Sequence, residues 1–143
     1  SGQYTWAAKT DIESFFDRIQ ISVLKRKLRR IIKEDEVIEL IEMELKAPVL
    51  GKSGQLEAKT LGIYQGSSIS PVLSNIYLDD FDHMIEREPV FYIRYSDDIL
   101  IMGRSRDQLQ NLITKIKILL EPYGLMLKDE KRYFAHWSRK LNF

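Results

Sequence analysis

The sequence runs to 143 residues, 44% hydrophobic and 30% charged, with a formal net charge of +1, enough chain for one domain with a real core and too little for two. No apolar run reaches membrane-spanning length and no secretory signal pattern is present, which argues against an integral membrane protein. Cysteine is absent, which excludes disulfides and thiolate metal sites and fits a cytoplasmic location; His83 and His136 lie too far apart to form a zinc site, so any metal would have oxygen ligands.

In chain order, YTWAAKTD (4–11) predicts a strand that ends on the acid Asp11. SVLKRKLRRIIK follows, with Leu24, Leu28, Ile31 and Ile32 at helical spacing and Ser22 as its N-cap. The same segment crowds together Lys25, Arg26, Lys27, Arg29, Arg30 and Lys33, which reads as a solvated helix face or a phosphate-contacting one. An acidic helix over 35–46 stops at Pro48, and GKSGQ (51–55) makes a flexible turn.

The strongest helix begins at Ser70 as N-cap, with Pro71 at the first helical position, where its missing N–H does no harm. It lays Val72, Leu73, Ile76, Tyr77, Phe81, Met84 and Ile85 on one stripe, and Pro89 ends the run. Strands are expected at 90–95 and 98–103, joined at Ser96 and Asp97. Ser105 with Gln108 makes a capping box for a helix whose Leu109, Leu112, Ile113, Ile116, Leu119 and Leu120 share a face. Gly124 suits the left-handed position that closes it, and short strands near 125–128 and 132–135 follow. This order predicts an α+β layer, an antiparallel sheet with helices packed on one face.

Within the strand-like run FYIRYSDDILI (91–101), Asp97 and Asp98 sit side by side. Adjacent carboxylates repel, burying either is costly, and strand interiors are depleted in Asp. The pair is therefore either a tight turn or a site that expects a cation. If the strand ending at Asp11 neighbours the hairpin, three carboxylates converge at one sheet edge. That arrangement suits two Mg²⁺ ions clamping the attacking and leaving oxygens of a phosphoryl displacement.

Three blocks in order, KTDIESFFD (9–17), GIYQGSSISPVLSNIYLDDFD (62–82) and RYSDDILI (94–101), resemble the palm motifs of reverse transcriptases, above all the bacterial and group II intron type. LEPYGLMLKDEKRYF (120–134) is similar to the palm segment that follows. The resemblance implies a polymerase palm with a ferredoxin-like antiparallel sheet. It also implies RNA-directed DNA polymerase activity, joining a primer 3′-OH to the α-phosphate of a dNTP. The implied partners are an RNA template, a DNA or RNA primer and dNTP; the implied cofactor is a pair of Mg²⁺ ions, with Mn²⁺ able to substitute.

Under that resemblance Asp11 and Asp97 match the metal-binding aspartates, Asp98 their accompanying acid, and the Ile12 carbonyl completes the metal shell. Lys131 matches a lysine that protonates the leaving pyrophosphate. Phe16, with Phe15 beside it, falls where the family keeps an aromatic ring under the sugar, a ring that favours dNTP over NTP. Gln65 and Gly66 match the loop against the nascent base pair; Gly62, Asn75, Arg94 and Tyr95 fall along template and primer. Ser96 stands where intron-type members often carry alanine.

The family's fingers and thumb are expected outside the chain. Residues 1–143 are then a single palm fragment, weak or inactive alone, with an exposed sheet edge that favours dimers. Two alternatives stand beside this reading. An RNA-directed RNA polymerase is opposed by Phe16, and a non-catalytic palm-like scaffold for RNA or protein is opposed by retention of all three acids.

Overall fold

The computed structural model describes residues 4–50, 54–57, 61–128 and 133–136. In chain order its elements are β1 (Trp6–Asp11), α1 (Phe15–Arg18), α2 (Ile21–Ile31), α3 (Asp35–Lys46), β2 (Val49–Leu50), β3 (Leu56–Glu57), α4 (Ser70–Glu86), β4 (Phe91–Tyr95), β5 (Asp98–Gly103), α5 (Arg106–Leu120) and β6 (Tyr133–His136). The chain divides into two compact units, with boundaries after Glu13 and after Leu78. No helix among the described residues is long and apolar enough to cross a membrane.

The unit holding β1 and the segment from Asp79 onward is built on a sheet in the order β4-β5-β1-β6, antiparallel throughout. Strand alternation assigns its two faces. Ala8 pairs with Ile101 and Thr10 with Ile99, and all four are buried. They face α5, which contacts β1 and β5 and buries Leu109, Leu112, Ile113, Ile116 and Leu120. The opposite face carries Lys9, Asp11, Asp98 and Leu100, with exposed Phe91, Ile93 and Tyr95 on the edge strand β4. This is the α+β sheet with helices on one face that the element order predicts.

α5 begins as expected: the Ser105 hydroxyl accepts the Gln108 N–H at 3.1 Å. The reciprocal half of the box closes one residue early, because the Gln108 side-chain oxygen accepts the N–H of Arg104 rather than that of Ser105. After a 3₁₀ turn over Glu121–Tyr123, Gly124 takes φ 68 and the Leu125 N–H reaches back to the Leu120 carbonyl at 3.2 Å. The strand expected near 125–128 reduces to an isolated bridge between Ile12 and Leu127. The last expected strand is β6, although residue 132 lies outside the described residues.

In the other unit, α2 starts one residue before Ser22, with Gln20 at the cap. Leu24 and Leu28 are buried, but Ile31 is 61% exposed because the helix ends there. α2 packs against α3, which buries Ile38, Ile41 and Leu45. Glu42 gathers the basic side chains between them, with Lys25 at 2.8 Å, Lys46 at 3.4 Å and Arg29 at 3.6 Å. The hydrogen bond from Lys25 holds the Glu42 carboxyl below its ordinary range, against the opposing effect of burial. Lys27 instead donates to the Tyr77 carbonyl at 2.8 Å. Part of the basic segment is thus absorbed by internal partners. A short β2–β3 pairing, not anticipated from the sequence, flanks residues 51–53 of the expected turn, which lie outside the described residues.

At the head of α4, Ser70 is the first helical residue rather than the cap: Ile69 accepts the Leu73 N–H at 3.0 Å, and the Ser70 hydroxyl donates to the Tyr64 carbonyl. Leu73, Tyr77, Phe81 and Ile85 are buried as the stripe predicts, whereas Val72 is 55% exposed.

Gly62 and Gly54 separate two sources of strain. Both have positive φ, 84° and 75°, but a Cβ on Gly62 would meet the Asp17 carbonyl oxygen at 2.8 Å while Gly54 has nothing within 4 Å. Gly62→Ala is expected to cost about 1–3 kcal/mol and Gly54→Ala about 1 kcal/mol. Urea midpoints at unchanged m-value read both, and equal shifts would show that the Asp17 contact contributes nothing.

Candidate active site

The antiparallel register of β1 and β5 sets Asp11 opposite Asp98 at the end of both strands. Beyond that pair the Ile12 N–H donates to the Asp97 carbonyl at 2.9 Å, which makes Asp11 and Asp98 a non-hydrogen-bonded pair, the kind that brings side chains closer. β4 and β5 are joined by the two-residue loop Ser96-Asp97, with Tyr95 opposite Asp98. Ser96 has φ 58 and Asp97 no positive φ, the pattern of a type II′ turn. The tight turn, one of the two alternatives posed for Asp97 and Asp98, is therefore present, and it sets Asp98 across from Asp11 at the same end of the sheet.

Asp11 is 7% exposed. The Asp98 side chain is about half exposed and pairs with Lys9, whose Nζ lies 3.2 Å from Oδ1. The Ile12–Leu127 bridge is held by Glu13 N–H to the Met126 carbonyl at 2.8 Å and Lys128 N–H to the Asp11 carbonyl at 2.9 Å, neither of which uses the Ile12 carbonyl. Asp11, Asp97 and Ile12 thus bring carboxylate and carbonyl oxygens to one end of the sheet. Among the described residues no three His, Asp or Glu side chains converge as a ready-made metal cluster. Mg²⁺ fits such a donor set, because it takes one or two carboxylates and completes its shell with water and substrate phosphate.

Arg94, expected along template or primer, is corrected by its burial: its side chain is 3% exposed. Alternation in β4 turns Tyr92 and Arg94 toward the helix-covered face, opposite Ile101 and Ile99. There Arg94 grips Asp82 of α4 with two bonds, Nε to Oδ1 at 2.8 Å and NH2 to Oδ2 at 2.5 Å. Its NH1 donates to the Ser96 carbonyl at 2.9 Å, and the Tyr92 hydroxyl donates to Asp82 Oδ1 at 2.5 Å. Burial opposes the Arg94 charge, but the bonds to Asp82 outweigh it and hold its pKa above the ordinary value. Burial, then the bond to Asp82, pushes the Tyr92 phenol far up. Asp82 and Tyr92 were missed from the sequence. The available signal was an Arg on the core-facing parity of a strand, which requires an acid partner.

Tyr95 is 80% exposed and lies opposite Asp98, on the same face as the acids. In the other unit, Phe15 is corrected to a core residue, 2% exposed, while Phe16 is half-buried with its ring 5.3 Å from that of Phe15. The Gly62 N–H donates to Ile19 and the Ile63 N–H to Phe16, at 2.7 and 2.8 Å, lacing the GIYQG loop to α1. Gly62, expected near the template, is buried, and its close approach is to Asp17 of the same chain. Gln65, Gly66 and Asn75 are exposed. Lys131 lies outside the described residues.

The profile of a family described as reverse transcriptase (RNA-dependent DNA polymerase) matches residues 1–143. The chain is similar to the putative COX1/OXI3 intron 2 protein of Saccharomyces cerevisiae, 36% identical over 83 residues that make up 58% of this chain and 10% of that protein. It is also similar to protein YkfC of Escherichia coli, 34% identical over 80 residues, 56% of this chain and 21% of YkfC. The matched segments thus span 10% and 21% of the lengths of these two relatives. Among solved structures, apo telomerase from Candida tropicalis superimposes with a TM-score of 0.70 at 19% identity, covering 95% of this chain and 29% of that one. The RNA-dependent RNA polymerase of a human picorbirnavirus follows at TM-score 0.62 and 16% identity, covering 92% and 26%. At these identities the likeness is one of fold, a polymerase palm.

The buried ion pair yields a stability prediction. Arg94→Met alone leaves Asp82 without its guanidinium and is expected to cost about 3–5 kcal/mol, whereas Asp82→Leu with Arg94→Met costs far less than the two single changes added together. A urea double-mutant cycle measures the difference. Additive costs would show that the two side chains do not act as a pair.

Proposed function

The chain belongs to the reverse transcriptase family, and from that premise we propose that it carries the catalytic palm of an RNA-directed DNA polymerase, extending a primer 3′-OH with dNTP on an RNA template. The observation that carries this reading is the opposition of Asp11 and Asp98 across β1 and β5, with Asp97 on the turn tied to the Ile12 N–H. In this reading Asp11, Asp97 and the Ile12 carbonyl hold divalent cations. When bound, two Mg²⁺ ions polarise the attacking oxygen and neutralise charge on the leaving pyrophosphate.

The chain's own groups do the rest. Lys9 at 3.2 Å balances Asp98 and limits repulsion among the acids. Exposed Tyr95, beside Asp98, offers a flat ring to the primer end. Phe16, five residues beyond Asp11 in the chain, is assigned to exclude a 2′-OH, and buried Phe15 backs its ring. The exposed Gln65 amide both donates and accepts, which suits contact with a nascent base pair, and Gly66 and Asn75 belong with it on the template side. Lys131 is assigned proton transfer to the leaving pyrophosphate.

Primer extension on an RNA template with Mg²⁺, comparing dNTP with NTP, tests the proposal in this chain and in any longer protein that contains it. Asp97→Asn is expected to lower extension about 10³-fold or more, the scale of several kcal/mol of charge stabilisation, with the melting temperature unchanged. Extension at the unmodified rate by that variant would sink the reading. Phe16→Val is expected to admit NTP; an unchanged dNTP preference would place sugar discrimination elsewhere. Chelation with EDTA should stop synthesis, and Mn²⁺ should restore it. A folded protein that binds no Mn²⁺ and extends neither nucleotide would instead favour a non-catalytic scaffold.

A further inference from the structure

A buried ion pair is a poor reason in itself for a fold to keep two charges, since an apolar pair of similar volume often stabilises as well or better. The Arg94–Asp82 pair therefore calls for a directional explanation. A lysine could neutralise Asp82, but only a planar guanidinium can bind a carboxylate with two N–H groups and aim a third at a separate acceptor at a set angle. Here that acceptor is the Ser96 carbonyl, 2.9 Å from Arg94 NH1. The carbonyl belongs to the peptide that joins Ser96 to Asp97, so holding it orients the backbone from which the Asp97 carboxylate projects.

The turn needs such a hold. Ser96 sits at φ 58, a left-handed conformation that is costly for a residue with a Cβ and persists where surrounding contacts over-determine it. On its other side Asp97 is fixed by its own carbonyl, which accepts the Ile12 N–H at 2.9 Å. Asp97 is thus suspended between two anchored carbonyls, one tied to β1 through Ile12 and the other to α4 through Arg94 and Asp82. The Tyr92 hydroxyl, on the same Asp82 oxygen as Arg94 Nε, restrains rotation of the carboxylate.

We infer that Asp82 and Arg94 are positioning residues for Asp97, with α4 serving as the fixed support of the turn. The assignment rests on the palm reading in so far as Asp97 holds a metal, while the mechanical part stands on the chain's own bonds.

The test compares Arg94→Lys, which keeps the charge beside Asp82 but loses the fork, with the paired change Asp82→Leu and Arg94→Met, which removes both charges. Two quantities are read: amide hydrogen exchange at Ile12 in metal-free protein, and Mn²⁺ affinity. Both variants are expected to remain folded, with exchange at Ile12 about tenfold faster and Mn²⁺ bound about tenfold more weakly. If either folded variant keeps the unmodified exchange rate and Mn²⁺ affinity, the inference is overturned; should Arg94→Lys not fold, the paired variant decides. Asp97→Asn, measured alongside, separates the two proposals. If it binds Mn²⁺ as tightly as the unmodified chain, the metal role of Asp97 fails, and exchange at Ile12 alone decides whether the clamp exists.

Discussion

The pairing of β1 with β5 is the constraint from which the site follows. Side chains alternate with a period of two, so a slip of one residue would carry Asp11 to the helix-covered face and Thr10 away from it. That slip would set the Asp11 carboxylate, itself 7% exposed, against Ile99, Ile101 and the apolar face of α5. It would leave the face it shares with Lys9 and Asp98, and desolvation beside apolar side chains opposes the move. Packing of Ala8, Ile99 and Ile101 on one face thus determines where Asp11 and Asp98 stand on the other. The acids are placed by the hydrophobic effect acting on their neighbours.

A second layer of control runs through charge. The helix-covered face is not wholly apolar: Arg94 and Asp82 meet there with Tyr92, in a geometry that uses both carboxylate oxygens. At low dielectric such a group is favourable only when every donor and acceptor is matched. The same face also holds the Thr10 hydroxyl, buried without a hydrogen-bond partner among the described residues, for which there is no physical account. The surface pairs are of a different kind. Glu42, its side chain 19% exposed, draws Lys25, Arg29 and Lys46 around it on the α2–α3 hairpin, and screening by water limits the worth of the exposed Arg29 and Lys46.

In the unit that holds α1 to α3, backbone proximity replaces side-chain chemistry as the organising device. Gly62 lies against the backbone of Asp17, and the bonds from Gly62 and Ile63 to Ile19 and Phe16 hold the loop to α1. A side chain at residue 62 would separate these strands of contact. Glycine is required there by the fold of this chain itself, independently of any template nearby.

Much of the architecture was legible in local pattern. Helical spacing in 109–120, the alternation around 91–103 and the Ser105 cap are decided by neighbours within a few residues, and the structure reproduces all three. The acids too could be read, since Asp in a strand-like run violates local propensity and so marks a special site. What the sequence by itself determined, then, was the type of each main element and the unusual placement of two adjacent acids, Asp97 and Asp98, in an apolar strand-like run. Only the tertiary structure decided which of Phe15 and Phe16 enters the core, that Arg94 turns inward to Asp82 rather than outward, and that the close approach of Gly62 is to Asp17. Each of those outcomes depends on a partner distant in the chain or on the parity of a strand whose buried face is chosen by packing, and neither is encoded in a residue's immediate neighbours.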